Sequence, residues 1–148
     1  MHAGVAAEPM AACANLASLL VRTAHNWPRL PAVARGSVVL HDYAALARRA
    51  SALAHSMQRA GLEPGERVAL VSRNAPAYVE ALFACWWAGL VAVPVNAKLH
   101  PKELAFVLQD SGARWAFVDD AWDAALSTLA GDAPAVARVL VLGGREHE

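Results

Sequence analysis

In the first forty residues, the apolar positions first follow the spacing of a helix and then form short runs typical of strands. Apolar residues recur at helical spacing over residues 16–24, Asn15 precedes them as a candidate cap, and Trp27-Pro28 interrupts the run. Two short apolar runs, residues 32–35 and 38–40, then flank Gly36-Ser37. This arrangement predicts a helix followed by a small two-stranded hairpin, whose first turn position needs a positive φ.

A longer helix is predicted directly after the hairpin. Asp42 is placed to cap it, and Gly61 supplies the left-handed residue that commonly ends a helix. Apolar side chains spaced three and four residues apart define its buried face: Leu46, Ala50, Leu53 and Met57.

From Gly65 onward, short continuous apolar strands alternate with helices. The strands are predicted at 68–71, 91–95, 115–118 and 139–142. One helix is predicted to start at an Asn74 cap and run to Gly89, one to run from Pro101 to Gly112, and one to span 121–130. Strands without polar alternation are buried on both faces, and short helical connections favour parallel pairing. The fold class predicted is α/β, a partial doubly wound parallel sheet with flanking helices and a small N-terminal hairpin.

The final strand predicts that the fold is incomplete. Residues 139–142 are as apolar as an interior strand, yet the sequence ends six residues later at Glu148. The predicted helices are too few to cover both faces of such a sheet. We therefore expect residues 1–14 to be a loose leader and residues 15–148 to be part of a larger α/β domain.

Composition excludes several classes of partner. Thirteen Lys and Arg residues balance thirteen Asp and Glu residues, so no global field attracts nucleic acid or anionic membranes. The longest apolar stretch, residues 81–97, is shorter than the ~20 residues a spanning helix needs. The two cysteines, Cys13 and Cys85, cannot form a disulfide framework, which favours a reducing compartment. The sequence thus predicts a cytoplasmic protein without a transmembrane segment.

Polar residues that follow the strands are the candidates for chemistry, because ligands of open α/β sheets bind at the carboxyl ends of the strands. For the first three groups a ligand role competes with a structural one, and we favour the structural one; the fourth group has no interpretation as it stands. Arg73 could hold an anion; in the structural alternative, Arg73 is solvated and Asn74 caps a helix. Asn96 could bind a ligand or could fix the conformation of its own loop. Asp119-Asp120 could bind a metal or ribose, or cap a helix. Gly143-Gly144-Arg145 could begin a phosphate loop, but the sequence ends before a helix could complete it.

Other reactive residue types give no site. No two of the six histidines are spaced to share a helical face as metal ligands, and Cys85 lies within an apolar helix without a base nearby. Trp86 and Trp87 point to different faces of that helix, so at most one could line a pocket. Phosphate-loop, dinucleotide, nucleophile-elbow and zinc-protease motifs are absent from the sequence. We predict no catalytic, cofactor-binding or metal-binding residue.

Residues 15–144 resemble the N-terminal portion of the adenylate-forming (AMP-binding) acyl-CoA synthetases. Residues 40–46 are similar to the family's L-T-Y-x-E-L block, with Asp42 and Ala45 in place of its Thr and Glu. Residues 61–69 resemble G-x-x-x-G-D-R-V-A with Glu66 for Asp, and residues 74–80 resemble N-x-P-E-Y-x-E without its first Glu. Residues 83–96 and 99–104 resemble the family's Ala-Gly helix end, the strand to Pro-x-Asn and the L-x-P-x-E-L helix start.

The resemblance implies a ligase that joins a fatty or aromatic acid to coenzyme A. In the family, the acid and ATP form an acyl-adenylate, and coenzyme A then displaces AMP. ATP, Mg and coenzyme A are implied for the full-length enzyme, and the partner of this chain would be the remainder of the ligase polypeptide. The phosphate loop, ribose-binding Asp and catalytic Lys of the family have no match in these 148 residues, so we expect the chain alone to be inactive.

Two other hypotheses remain open. The chain could be a free-standing, noncatalytic α/β module that binds a partner, or an unrelated nucleotide-binding protein. The last is disfavoured because no phosphate loop follows any predicted strand.

Overall fold

A computed structural model describes residues 15–120, 122 and 134–142. Their elements follow the predicted order of a helix, a hairpin, a helix and then alternating strands and helices. The bounds are α1 Ala17–Asn26, β1 Pro31–Arg35, β2 Val38–Asp42, α2 Tyr43–Arg59, β3 Arg67–Val71, α3 Pro76–Trp87, β4 Val91–Val95, α4 Pro101–Ser111, β5 Trp115–Val118 and β6 Arg138–Val141.

The N-terminal elements form as predicted, with one shift. Asn15 lies one residue outside the cap position of α1, which Leu16 occupies, although the Asn15 Oδ1 still accepts a hydrogen bond from the Ala17 N–H at 2.8 Å. The antiparallel β1–β2 hairpin turns at Gly36, whose φ is +59°. This is the positive φ that a turn with matching twist requires.

Helix α2 has the cap and the buried face that the sequence predicts. The Asp42 Oδ1 accepts a hydrogen bond from the Ala45 N–H at 2.7 Å. Leu46, Ala50 and Met57 are buried, Ala54 joins them, and Leu53 is half-buried beside the same core.

The four-stranded sheet has the order β4-β3-β5-β6, and every neighbouring pair is parallel. The chain moves from β3 outward to β4 and then crosses back to β5 on the other side of β3. The strand order therefore reverses between β3 and β5. In doubly wound folds, the crevice at the carboxyl ends of two such strands is the usual ligand position.

The sheet is buried on both of its faces at β3. Val68 and Leu70 pack in a cluster with α2 and α3, whereas Ala69 and Val71 pack in a second cluster with α4. Successive residues of a strand point to opposite faces, so a continuous apolar run suits a strand covered on both sides. A third cluster joins α1, the hairpin and α2 through Leu20, Val33, Leu46 and Ala50.

Strand β6 lies at the edge of the described sheet and is less covered than β5. Val139 and Leu140 are only half-buried and Val141 is exposed, whereas all four residues of β5 are buried. The predicted helix 121–130 lies outside the described residues except for Trp122, which is buried against the α4 face of the sheet. The predicted leader 1–14 and the 143–145 loop also lie outside them.

None of the helices among the described residues has the length and hydropathy needed to cross a bilayer.

Candidate functional site

An open groove of about 530 Å³ lies at the carboxyl ends of β3 and β4. Two of the loops singled out by the sequence, residues 72–74 and 96–98, come together to form it. The groove is lined by Ser72, Arg73, Asn74, Tyr78, Pro94, Val95, Asn96, Ala97 and Lys98. The carboxyl ends of β3 and β4 lie at the same edge of the sheet because the two strands are parallel.

Arg73 is bound to the neighbouring strand end. Its backbone N–H and its Nε both donate to the Asp119 Oδ2, at 3.0 and 3.1 Å, and its Nη2 lies 3.6 Å from the Asp120 Oδ1. Asp119 is buried, while the Arg73 side chain is 65% exposed. Arg73 is therefore solvent-exposed, as the structural interpretation predicted, and is in addition paired with Asp119. The pair ties β3 to β5 at the point where the strand order reverses.

Asn74 does not cap α3, contrary to the prediction. The cap residue is Ala75, which makes no side-chain cap hydrogen bond, and Pro76 occupies the first turn. Proline keeps the preceding residue in extended backbone and has no N–H to be capped. Asn74 consequently lies one residue too far from the helix and lines the groove instead.

The loop after β4 is fixed by its own side chains, as predicted for Asn96. The Asn96 Oδ1 accepts a hydrogen bond from the Lys98 N–H at 2.9 Å. Sequence reasoning missed the role of His100, which forms a capping box with Glu103 at the start of α4. The signal was present, because Glu103 follows His100 by three residues, but histidine is an uncommon cap.

A second buried carboxylate lies away from the groove. The Glu80 Oε1 is 3.0 Å from the His41 Nε2 and 2.7 Å from the Arg49 Nε. These groups come from α3, β2 and α2, so one carboxylate connects the hairpin to the helical layer. Removing one partner of this cluster would leave a buried polar group unpaired. Glu80 therefore stabilises the packing of the hairpin against the helices.

The lining of the groove suits the binding of a ligand. Its described lining contains no His, Cys, Asp or Glu, and the Ser72 Oγ donates to the Arg73 carbonyl oxygen at 2.9 Å. Burial raises the pKa of the Cys85 thiol to about 12, so this cysteine stays protonated in the core. With Arg73 and Lys98 on its rim, the groove can accept an anionic group but holds no paired nucleophile and base.

Neither of the tryptophans considered from the sequence lines this groove, and the described residues hold no cluster of metal ligands. No group of three or more potential metal ligands occurs among the described residues. Trp86 packs edge-on against Phe83 with centroids 5.2 Å apart, and Trp87 packs against the core, so neither indole lines the groove.

Two solved structures similar to this chain are an acyl-CoA ligase and a domain of a related enzyme. The N-terminal domain of FACL13 from Mycobacterium tuberculosis superimposes with a TM-score of 0.80 and 25% identity, covering 86% of this chain and 33% of that one. A benzoate CoA ligase from Burkholderia xenovorans gives a TM-score of 0.72 and 26% identity, covering 86% of this chain and 25% of that one.

Curated relatives agree with these structures. A feruloyl-CoA synthase from Amycolatopsis is 48% identical over 99 residues, which are 67% of this chain and 20% of that protein. The fatty acid–[acyl-carrier-protein] ligase ScoC from Streptomyces coeruleorubidus is 41% identical over 97 residues, 66% of this chain and 18% of that protein. The chain thus spans about a fifth of the length of these relatives. A model of the AMP-binding enzyme family matches residues 20–147, and the chain belongs to that family.

Proposed function

We propose that this chain is the N-terminal part of an ATP-dependent ligase that joins a carboxylic acid to coenzyme A. In this reaction the carboxylate attacks the α-phosphorus of ATP and releases pyrophosphate, and the thiol of coenzyme A then displaces AMP from the acyl-adenylate. The observation that carries the proposal is the 48% identity over 99 residues to a feruloyl-CoA synthase. Two further observations support it: the chain belongs to the AMP-binding enzyme family, and the match covers only 20% of that relative's length.

The acid in this proposal is fatty or aromatic. Feruloyl-CoA synthase and benzoate CoA ligase are named for aromatic acids, and a relative from Mycobacterium tuberculosis, 33% identical over 101 residues, is a long-chain-fatty-acid–CoA ligase. A second candidate for the thiol is an acyl-carrier protein, because ScoC is named for that acceptor. Thioester formation by the longer enzyme with each acid and each thiol distinguishes these combinations.

We also propose that this segment supplies none of the reacting groups. Two observations on the described residues support this proposal: they hold no group of three or more potential metal ligands, and the lining of the groove has no acidic side chain. The two lysines of the chain, Lys98 and Lys102, belong to the loop after β4 and to α4 rather than to a phosphate loop. ATP, Mg and coenzyme A would be held by the full-length cytoplasmic enzyme.

A binding and exchange experiment tests the inactivity of the segment. We expect the purified 148-residue chain to catalyse no acid-dependent ATP–pyrophosphate exchange and to give no heat on titration with Mg-ATP. The longer ligase, assayed in parallel, should catalyse the exchange and should give heat on titration with Mg-ATP. Saturable Mg-ATP binding by the short chain would contradict a segment without sites.

The mass of the natural product tests the ligase itself. An antibody against residues near Asn15 should detect a product several times heavier than 15.6 kDa in the source cells. A soluble product of 15.6 kDa would instead favour the free-standing, noncatalytic module.

A further inference from the structure

The β1–β2 hairpin and the turn before it expose an unusual number of large apolar side chains. We call these residues the hairpin surface: Trp27, Leu30, Val38, Val39 and Leu40, which are 37% to 60% exposed. The turn lies at the base of the hairpin, because the Tyr43 N–H donates to the Leu30 carbonyl oxygen at 3.1 Å. The apolar residues therefore continue from this base along β2.

The protein core covers only part of this hairpin. Val33 of β1 is buried against α1 and α2, but the three successive residues Val38, Val39 and Leu40 all remain exposed. Successive strand residues point to opposite faces, so both faces of β2 present apolar side chains. A hairpin with one face in water usually alternates polar and apolar residues. The pattern in β2 is instead that of a strand covered on both sides.

The charged side chains of the turn and of β1 are basic, and Asp42, which ends β2, is engaged in capping α2. The sequence contains no Asp or Glu from residue 9 to residue 41. Arg29 and Arg35 are exposed, and neither forms an ion pair with a carboxylate in the part of the chain that the structure describes. A complementary partner would be apolar at its centre and carry carboxylates at its border.

The related domain structures indicate what such a partner is. The chain accounts for 33% of the N-terminal domain of FACL13, so about two thirds of a domain of this kind lies outside the matched part. We propose that the hairpin surface is the packing site for the rest of the same AMP-binding domain, which covers it with an apolar, acid-bordered face. The inference rests on the proposed function, because it requires a longer ligase polypeptide.

Cysteine labelling tests the inference directly. Val39→Cys, made in a Cys13→Ser background, is compared in the 148-residue chain and in the longer ligase by the rate of reaction with a maleimide. We expect fast labelling in the short chain and at least tenfold slower labelling in the ligase. Buried Cys85 is the internal control, since its modification reports global unfolding.

Three results would overturn the inference. Equal labelling rates in the two proteins mean that the surface is free in the ligase. Protection that disappears on dilution assigns the surface to a second copy of the chain. Labelling of the ligase that is fast in solution and slow only with anionic lipid vesicles assigns it to a membrane.

A substitution series supplies an independent measurement. Val39→Lys should lower the Tm of the longer ligase by about 5 °C or more but leave that of the short chain nearly unchanged, because the lysine is buried only in the ligase. Val91→Lys is the matched control, since Val91 is also a strand valine, 46% exposed, but lies outside the hairpin surface. A Tm unchanged by Val39→Lys in the ligase contradicts the inference. A product of 15.6 kDa in the source cells refutes the ligase itself, which separates the two failures.

Discussion

Two buried carboxylates, Glu80 and Asp119, join parts of the fold that are distant in sequence. Asp119 accepts hydrogen bonds from Arg73 on the neighbouring strand, and Glu80 contacts His41 and Arg49 on two other elements. A carboxylate removed from water needs charged or hydrogen-bonding partners, and here the partners come from other elements. Each carboxylate therefore fixes the relative position of the elements it connects.

Glu66 provides a pH-dependent contact at the surface. The backbone N–H of Glu63, followed by the guanidinium of Arg114, lowers the pKa of Glu66 below its ordinary value of 4.5. A carboxyl whose pKa is lowered by folding stabilises the fold above its unfolded pKa, and this contribution is lost as the pH falls through the folded value. An NMR titration should give a Glu66 midpoint below 4.5, and Arg114→Gln should move it upward. A midpoint at the ordinary value in both proteins would rule out the contact.

Cys85 is expected to be chemically inert in the folded protein. Its thiol is buried with a pKa raised to about 12, so almost no thiolate exists at pH 8. In a Cys13→Ser variant, iodoacetamide should modify Cys85 no faster than the protein unfolds. Rapid modification without unfolding would show that this part of the core is open.

The helices begin where local chemistry satisfies their first N–H groups. Asp42 caps α2, His100 and Glu103 cap α4, and Pro76 at the start of α3 needs no cap for its own nitrogen. The positions of these helices are thus set largely by residues within one turn of their ends.

The cap of α2 can be tested with a matched pair of variants. Asp42→Ala removes the acceptor for the Ala45 N–H and should lower the free energy of unfolding by about 1 kcal/mol. Asp42→Asn keeps an acceptor oxygen and should lose much less. Urea denaturation of the three proteins measures both differences, and equal losses for Ala and Asn would mean that the charge, rather than the hydrogen bond, matters.

In the part of the chain that the structure describes, the four-stranded sheet lies between two helical layers, and stability depends on which helix face meets the sheet. On α4, Leu104 and Leu108 are buried against β3 and β5, whereas Phe106 is 67% exposed. Helices α2 and α3 pack on one face of the sheet, and α4 is the only described helix that packs on the other face.

Two neighbouring substitutions on α4 test this arrangement. Leu104→Ala leaves a cavity under the sheet and should cost about 2 to 5 kcal/mol. Phe106→Ala removes a larger side chain but should change the free energy of unfolding by no more than about 0.5 kcal/mol, since little of that ring is buried. Denaturant unfolding measures both, and a reversed order would place the wrong face of α4 on the sheet.

Local rules predicted most of the elements. The change of apolar period separated helices from strands, and Gly36 and Asp42 marked a turn and a cap that the structure confirms. Such signals work because backbone geometry and first-turn hydrogen bonds involve residues only a few positions apart. The cap assigned to Asn74 was wrong for an equally local reason, since Pro76 displaced the helix start.

The amino-acid sequence by itself therefore determined the class of fold, the family and most helix and strand boundaries. The tertiary structure alone decided the strand order, the groove between β3 and β4, and the partners of Arg73 and Glu80. Arg73 and Asp119 are 46 residues apart, and no periodicity links them. Their contact exists because β3 and β5 are neighbours in the sheet. The two strands become neighbours only when the helices cover both faces of the sheet, and this packing involves residues from the whole chain.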